Sequence, residues 1–207
     1  WIAAIAAMTA AALLAGCGGG GGAGAQGGAP GVGGGATEAA ALDLRTSVPS
    51  LDSDGRSTAT ITATVKDASN RALANQQVEF STTDSGSILQ VISARTDANG
   101  AASATLELTD QSNRNIQVSA RSGSLSGSVT VAVVGTSLIL NGPSNLVTGS
   151  PTEFSVGLRD SSGAALAGKP VSISSSAGNS VSAASVITDA TGQARFTVTG
   201  NAPGSDR

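Results

Sequence analysis

The chain of 207 residues lacks most of the side chains that carry enzyme chemistry. It contains no histidine and no tyrosine, and it has one cysteine, one methionine and one tryptophan. Without histidine there is no imidazole general base, no imidazole metal ligand and no Ser-His-Asp triad. A single cysteine cannot form an internal disulfide or a thiolate zinc site. We therefore expect a protein that is not an enzyme, and we assign it no catalytic residue, no cofactor and no metal site.

Charged and aromatic residues are also scarce. Charged residues make up 12% of the chain, aromatic residues 2%, and the net charge is −3. The 11 lysines and arginines are scattered along the sequence, so no nucleic-acid partner is expected. The abundant residues are alanine, glycine, serine, threonine and valine. This composition is typical of thin, β-rich secreted modules rather than of enzymes with deep pockets.

The first segment, Trp1–Leu14, is uncharged and almost wholly apolar. As a helix it would span roughly 21 Å, which is short for a membrane crossing but typical of the apolar core of a signal peptide. The basic region that precedes such a core is absent from this sequence. We therefore expect that the true start of the protein lies upstream of Trp1.

The apolar segment ends in Leu14-Ala15-Gly16-Cys17, which resembles the lipobox of bacterial lipoproteins. The resemblance implies that Leu14, Ala15 and Gly16 are recognised by the signal peptidase, that cleavage precedes Cys17, and that acyl chains on Cys17 bind the membrane. In such lipoproteins an aspartate directly after the cysteine favours retention in the inner membrane. Gly18 occupies this position here, which implies an outer-membrane lipoprotein of the cell envelope, either periplasmic-facing or surface-exposed. The alternative is a chance cysteine after an ordinary secretory signal.

A glycine-rich segment follows the cysteine. Gly18–Gly35 contains twelve glycines in eighteen residues and matches no phosphate-binding motif. Such a sequence buries too little apolar surface to offset the entropy lost on ordering its glycines. We predict that residues 17–40 are a lipidated, flexible tether behind a signal peptide at residues 1–16.

From Ala41 onward, apolar and polar residues alternate in short runs separated by turn residues. In Ser57–Val65 the apolar side chains fall on one face and threonines on the other, as in a half-buried antiparallel strand. Four further segments show the same alternation. Their inward residues are predicted to be Val78 and Phe80; Ala102, Ala104, Leu106 and Leu108; Ile116, Val118 and Ala120; and Val129, Val131 and Val133.

An internal repeat relates two parts of this β-rich region. Val65–Ala74 aligns with Leu158–Ala167 at an offset of 93 residues, and Thr96–Gly100 aligns with Thr188–Gly192 at an offset of 92. Each block carries an aspartate followed by a turn, in which the carboxylate can accept hydrogen bonds from its own turn. Calcium binding is the alternative for such aspartates. The nearest approach to a calcium loop, Asp52–Gly55, lacks the remaining ligands.

The repeat resembles the bacterial immunoglobulin-like (Ig-like) domain of group 1, the module of the invasin and intimin adhesins. The resemblance rests on VKDASNRALANQQVEFST and TDANGAASATL in the first copy and on the matching turns of the second. It implies an all-β fold of tandem Ig-like β-sandwiches. We expect domain 1 at residues 41–135 and domain 2, incomplete at its C-terminus and unstable alone, at residues 136–207. The cores are expected to be aliphatic, around Phe80 in domain 1 and around Phe154 and Phe196 in domain 2.

These features predict a lipid-anchored envelope protein whose Ig-like repeats form a stalk for adhesion or surface interaction. Only Gly135 and Thr136 separate the two copies, which predicts a semi-rigid, end-to-end rod. The expected ligand is a host-cell component, an envelope protein or a glycan. One alternative is that the repeats are spacers for a catalytic domain that lies beyond Arg207. Another is that the modules bind a ligand themselves.

Overall fold

The computed structural model describes residues 38–204, which form strands and turns. Within this range no helix is long and apolar enough to span a membrane. The strands, in chain order, are β1 (Ala41–Thr46), β2 (Ser50–Asp52), β3 (Ala59–Lys66), β4 (Glu79–Thr82), β5 (Ser87–Ser93), β6 (Ala101–Leu108), β7 (Arg114–Ser122), β8 (Leu125–Val134), β9 (Ser137–Asn141), β10 (Pro151–Arg159), β11 (Pro170–Ser172), β12 (Ser180–Val181), β13 (Ser185–Ile187) and β14 (Gln193–Thr199).

Domain 1 contains two four-stranded sheets. Their strand orders are β1-β3-β6-β5 and β2-β8-β7-β4. All the pairs are antiparallel except β2 with β8, which run parallel. The inner faces of the two sheets enclose the core, as in an Ig-like sandwich. The predicted all-β fold is confirmed.

The alternation of side chains decides which face of each strand is buried. In β3 the alanine, isoleucine and valine side chains are fully buried, whereas Thr60 on the opposite face is exposed. β6 and β7 follow the same pattern. The inward residues predicted from the sequence are therefore confirmed in these three strands, and the buried set is Ala59, Ile61, Ala63, Val65, Ala102, Ala104, Leu106, Leu108, Ile116, Val118 and Ala120.

The centre of the domain 1 core is aliphatic. Leu51, Ile61, Leu106 and Ile116 are its largest fully buried side chains. Phe80 is only half-buried and packs against the two groups of buried residues from outside. The aliphatic core predicted for this domain is confirmed, and Phe80 contacts it from the edge of the sheet rather than from the centre. Its strand, β4, is the edge strand of its sheet, so the ring has neighbouring strands on one side only.

Domain 2 repeats part of this architecture. β9, β10 and β14 take the places of β1, β3 and β6, and they form the sheet β12-β14-β10-β9. β11 pairs only with β13 in a separate two-stranded sheet. The rings of Phe154 and Phe196 stack with their centroids 5.8 Å apart, and both contribute to the small core of this domain. Among residues 136–204 no strand corresponds to β2, β7 or β8.

Candidate functional site at the junction of the two domains

The lipidation residue predicted from the sequence, Cys17, lies outside the described residues. So do the peptidase-recognition residues Leu14, Ala15 and Gly16, and the glycine-rich segment Gly18–Gly35. These predictions therefore stay predictions. The described residues contain the two aspartate turns of each repeat and the connection between the domains.

The aspartates of the repeat cap their own turns. One carboxylate oxygen of Asp67 accepts hydrogen bonds from the backbone N–H groups of Ser69 and Arg71, at 2.8 and 2.9 Å. Asp160 accepts the same pair of bonds from Ser162 and Ala164, again at 2.8 and 2.9 Å. The backbone bond from Arg71 lowers the pKa of Asp67, which keeps the carboxylate ionised. The turns are thus duplicated at the level of individual hydrogen bonds.

A buried threonine joins the two turns within each domain. The Oγ1 of Thr96 donates to the carbonyl of Leu73 at 2.6 Å and accepts the backbone N–H of Gln76 at 2.9 Å. In domain 2, Thr188 donates to Leu166 at 2.6 Å and accepts the N–H of Lys169 at 2.9 Å. Each hydroxyl therefore satisfies a carbonyl and an N–H that no sheet pairs.

The second aspartate turn of each repeat ends in a glycine. This glycine packs against the strand that precedes the first aspartate turn. Gly100 has φ of +71°, and a Cβ placed on it would lie 2.7 Å from the carbonyl oxygen of Val65. Gly192 has φ of +73°, and its Cβ would lie 2.6 Å from the carbonyl oxygen of Leu158. Both positions therefore require glycine for conformation and for space.

The aspartate turn of domain 2 contacts domain 1. The backbone N–H of Ser161 donates to the Oγ of Ser53, which is fully buried, at 2.8 Å. Gly135 lies beside this contact with φ of +96°, and a Cβ on it would lie 2.6 Å from the Cβ of Ser161. The duplicated turn therefore has a second use in domain 2, as part of the junction.

The two-residue connection is held by the loop that joins β6 to β7. Asn113 makes two hydrogen bonds with Thr136: its Oδ1 accepts the N–H at 2.9 Å, and its Nδ2 donates to the carbonyl at 3.2 Å. The Oγ1 of Thr136 donates to the carbonyl of Gln111 at 2.6 Å. Thr136, the second residue of the connection, is thus fixed to domain 1 just before β9 begins.

An ionic network joins the same loop to domain 2. The carboxylate of Asp110 accepts hydrogen bonds from the Nζ of Lys169, at 2.5 Å, and from the N–H of Ser112, at 2.7 Å. Burial raises the pKa of Asp110, but these bonds outweigh it and lower the pKa from 3.8 to about 2. Asp110 is therefore ionised at neutral pH, and its charge is matched across the junction.

Arg114 holds this loop in place. Its guanidinium binds both carboxylate oxygens of Asp84, at 2.7 and 3.0 Å, and donates to the carbonyls of Gly86, Asp110 and Ser112. The side-chain bonds from Arg114 lower the pKa of Asp84. A bidentate arginine–carboxylate pair fixes orientation as well as distance. The junction loop is therefore preorganised before Lys169 reaches it.

The polar side chains of the junction hold the two domains together. Its side chains are a lysine, an arginine, carboxylates, amides and hydroxyls, and each makes a structural hydrogen bond or ion pair. Among residues 38–204 no group of three or more histidine, cysteine, aspartate or glutamate side chains is placed to hold a metal ion. The sequence predicted a short connection. It did not indicate the pair between Asp110 and Lys169, because 59 residues separate them.

The chain was compared with known families and structures. The sequence profile of the bacterial Ig-like domain (group 1) matches residues 41–134 and 149–206. A search of curated protein sequences gave no significant match.

Among solved structures, the adhesin InvE of Yersinia pseudotuberculosis is 19% identical, with 82% of this chain and 54% of that chain covered and a TM-score of 0.53. The D0-D1 domain of Intimin is 22% identical, with 79% and 87% covered and a TM-score of 0.39. Invasin, described as a bacterial integrin-binding protein, is 20% identical, with 81% and 35% covered and a TM-score of 0.47. The chain thus spans about half of InvE and about a third of invasin. The likeness to InvE supports the Ig-like fold.

Proposed function

The chain belongs to the bacterial Ig-like domain (group 1) family, and we propose that it is a non-catalytic, lipid-anchored protein of the cell envelope. Its Ig-like domains act as a stalk for adhesion or surface interaction. The observation that carries this proposal is the junction, where the loop between β6 and β7 holds both the connection and Lys169. A spacer needs such a connection, because a flexible joint would let the distal end fold back.

The proposed anchor is Cys17. Each buried acyl CH₂ contributes about 0.8 kcal/mol, so the two or three chains of a lipoprotein hold firmly where one alone would not. Residues 18–40, as a glycine-rich coil, would have a root-mean-square span of about 25 Å. That length lifts domain 1 clear of the lipid head groups. The proposed location is the outer membrane, facing the periplasm or the exterior.

The proposed partner at the far end of the stalk is a host-cell component, an envelope protein or a glycan. Support for an adhesive role comes from the family and from the likeness to InvE, which is described as an adhesin. No binding tip is proposed within residues 41–207.

The anchor is tested by acyl labelling in a bacterial host, with a basic region placed upstream of Trp1. Cys17→Ser should abolish the incorporation of labelled palmitate and release the protein from the membrane fraction. Gly19→Ser is the matched control, because it makes a similar change two residues after the cysteine, and it should keep both properties. Membrane retention of Cys17→Ser equal to that of the native chain would contradict the anchor.

The stalk is tested by a distance measurement between the domains. Spin labels on cysteines placed at Glu107 and Arg195, both exposed, report the separation of the two domains in a Cys17→Ser background. We expect one narrow distance distribution. Insertion of a flexible Gly-Ser segment between Gly135 and Thr136 should broaden it. A distribution that is equally broad without the insertion would contradict the stalk.

A further inference from the structure

β5 forms one edge of a domain 1 sheet and carries three exposed apolar side chains. Ile88, Val91 and Ile92 have 53%, 44% and 62% of their surface exposed. Leu89, which lies between them, is half-buried and packs against the core. β5 pairs with β6 on one side, and within residues 38–204 no strand pairs with its other side. An edge of this kind presents backbone N–H and C=O groups that can pair with another strand.

β5 differs from the other three edge strands of domain 1 in having no charged residue. β1 carries Asp43 and Arg45, β2 carries Asp52, and β4 carries Glu79. β5 reads Ser-Ile-Leu-Gln-Val-Ile-Ser and has no proline. Charges and prolines on an edge strand oppose its pairing with another chain. β5 lacks both of these protections.

The internal repeat shows that the module forms without these exposed apolar side chains. Leu89 pairs with Leu106 in domain 1, and its counterpart Val181 pairs with Val198 in domain 2, so the inward position keeps a large apolar residue. In the same alignment the counterparts of Ile88, Val91 and Ile92 are Ser180, Ala183 and Ala184. The apolar surface of β5 therefore belongs to domain 1 alone, and packing within the module does not require it.

The sequence of β5 has nearly the same pattern in both directions from Gln90. The matched positions are Ser87 with Ser93, Ile88 with Ile92, and Leu89 with Val91. In an antiparallel pair of two β5 strands, with Gln90 opposite Gln90, each Ile88 would lie opposite Ile92 of the second copy. Each Leu89 would lie opposite Val91 of the second copy. A two-fold interface needs a surface that is complementary to itself, and β5 meets this condition.

A β-bulge limits the length of strand that can take part. The register of β5 on β6 shifts between Val91 and Ser93. The next residue, Ala94, accepts a hydrogen bond from the N–H of Val78, which precedes β4 of the other sheet. A bulge bends its strand and increases the local twist. Pairing along the free edge is therefore confined to residues 87–92, which favours a closed dimer over a continuous ladder.

We propose that β5 is a self-association surface, and that its partner is a second copy of this chain, whose β5 pairs with it in antiparallel orientation about a two-fold axis at Gln90. The two four-stranded sheets then form one continuous sheet in which the two β5 strands are neighbours. The pairing joins backbone groups at the edge and places Ile88 against Ile92 on the outer face. A contact of this size gives a weak, reversible dimer. This inference goes beyond the stalk and the lipid anchor and does not depend on them.

The dimer is tested by sedimentation of the full chain in a Cys17→Ser background, at concentrations up to about 1 mM. We expect a reversible equilibrium between monomer and dimer. Gln90→Lys places two like charges opposite each other and should weaken the dimer roughly tenfold or more. Thr60→Lys is the matched control, because Thr60 and Gln90 pair with the same residue, Thr105, from opposite sides. It puts the same charge two strands away from the edge and should leave the dimer unchanged.

A charge-reversal pair separates self-association from a general effect of charge. Gln90→Glu alone should weaken the dimer as Gln90→Lys does, whereas an equimolar mixture of the two variants should dimerise at least as strongly as the native residue. A native chain that stays monomeric up to about 1 mM would overturn the proposal. Association that Gln90→Lys and Thr60→Lys affect equally would also overturn it, since another surface would then carry the contact.

The register is tested by disulfide cross-linking in the same Cys17→Ser background. Gln90→Cys should give a covalent dimer on mild oxidation, because directly opposed residues of an antiparallel pair have Cα atoms roughly 4.5–5.5 Å apart, within reach of a disulfide. Ile88→Cys is the matched control. Its two copies would lie four residues out of register, roughly 13 Å apart along the strands, and should stay unlinked. Equal cross-linking of the two variants, or none of Gln90→Cys, would overturn the proposed pairing.

Discussion

The carboxylate of Asp110 in domain 1 accepts a 2.5 Å hydrogen bond from the Nζ of Lys169 in domain 2. The pair joins the loop that follows β6 to the residue that precedes β11. Because Arg114 and the N–H of Ser112 already hold this loop, Lys169 meets an acceptor whose position is fixed. The relative orientation of the two domains therefore depends on a contact between residues that are distant in sequence.

Removal of the lysine charge should loosen the junction. Lys169→Met keeps most of the apolar stem but loses the bond to Asp110. We expect the distance distribution between labels at Glu107 and Arg195 to broaden, with a loss of about 0.2–1 kcal/mol of coupling because the pair is partly solvated. Lys66→Met is the control, since Lys66 pairs with Asp43 inside domain 1. An equal broadening by both substitutions would contradict a specific role for Lys169.

The junction should also weaken in acid. The pKa of Asp110 is lowered from 3.8 to about 2 in the folded protein, so the stabilisation is fully present above pH 3.8 and is lost as the pH falls through about 2. The Asp110→Asn variant has no such titration. The difference in domain coupling between the native chain and Asp110→Asn, measured by the same labels, should be largest near pH 5 and should disappear below about pH 2. A difference that stays constant over this range would contradict the assignment.

The second turn of domain 2 should not tolerate a side chain at Gly192. Gly192→Ala places a Cβ 2.6 Å from the carbonyl oxygen of Leu158 at a positive φ. It should lower the free energy of unfolding of domain 2 by more than the roughly 1 kcal/mol that a positive φ alone costs an alanine. Gly168 also has a positive φ, but open space surrounds it, and its counterpart Asn75 has φ of +61°. Gly168→Asn should therefore be nearly neutral in urea unfolding followed by NMR.

The buried threonine of domain 1 should contribute through its hydroxyl. Thr96→Val preserves the shape of the side chain but leaves the carbonyl of Leu73 and the N–H of Gln76 without their partner. The expected loss is about 1–3 kcal/mol of unfolding free energy. Thr60→Val makes the same change on the exposed face of β3 and should alter stability by less than about 0.5 kcal/mol. Equal stability of the two variants in urea would show that the hydroxyl is dispensable.

The aliphatic centre of domain 1 should be more sensitive to truncation than its aromatic edge. Leu106 is fully buried, and Leu106→Ala should cost about 2–5 kcal/mol. Phe80 is half-buried, so Phe80→Ala should cost less than the 3–5 kcal/mol that is typical of a fully buried phenylalanine. Urea unfolding of the two variants measures the difference. A larger loss of unfolding free energy for Phe80→Ala than for Leu106→Ala would show that the phenylalanine is the more important core residue.

Local patterns were sufficient to predict the strands and the turns. The period-two alternation in β3, β6 and β7 depends on each residue and its near neighbours, so the buried face could be read from the sequence. The aspartate turns were predictable for the same reason, because each carboxylate bonds to N–H groups two and four residues later. The position of Phe80 was not predictable in this way, since alternation gives the face of a strand but not its place in the sheet.

The sequence by itself determined the all-β class, the duplication of the module and the glycines that its turns require, because these depend on interactions within a few residues or on direct comparison of two segments. The tertiary structure alone decided which loop holds the junction and that Phe80 lies at the edge of its sheet. The pair of Asp110 with Lys169 and the half-burial of Phe80 both depend on which distant strands become neighbours. Burial and charge pairing are properties of that three-dimensional arrangement, and no local sequence pattern encodes them.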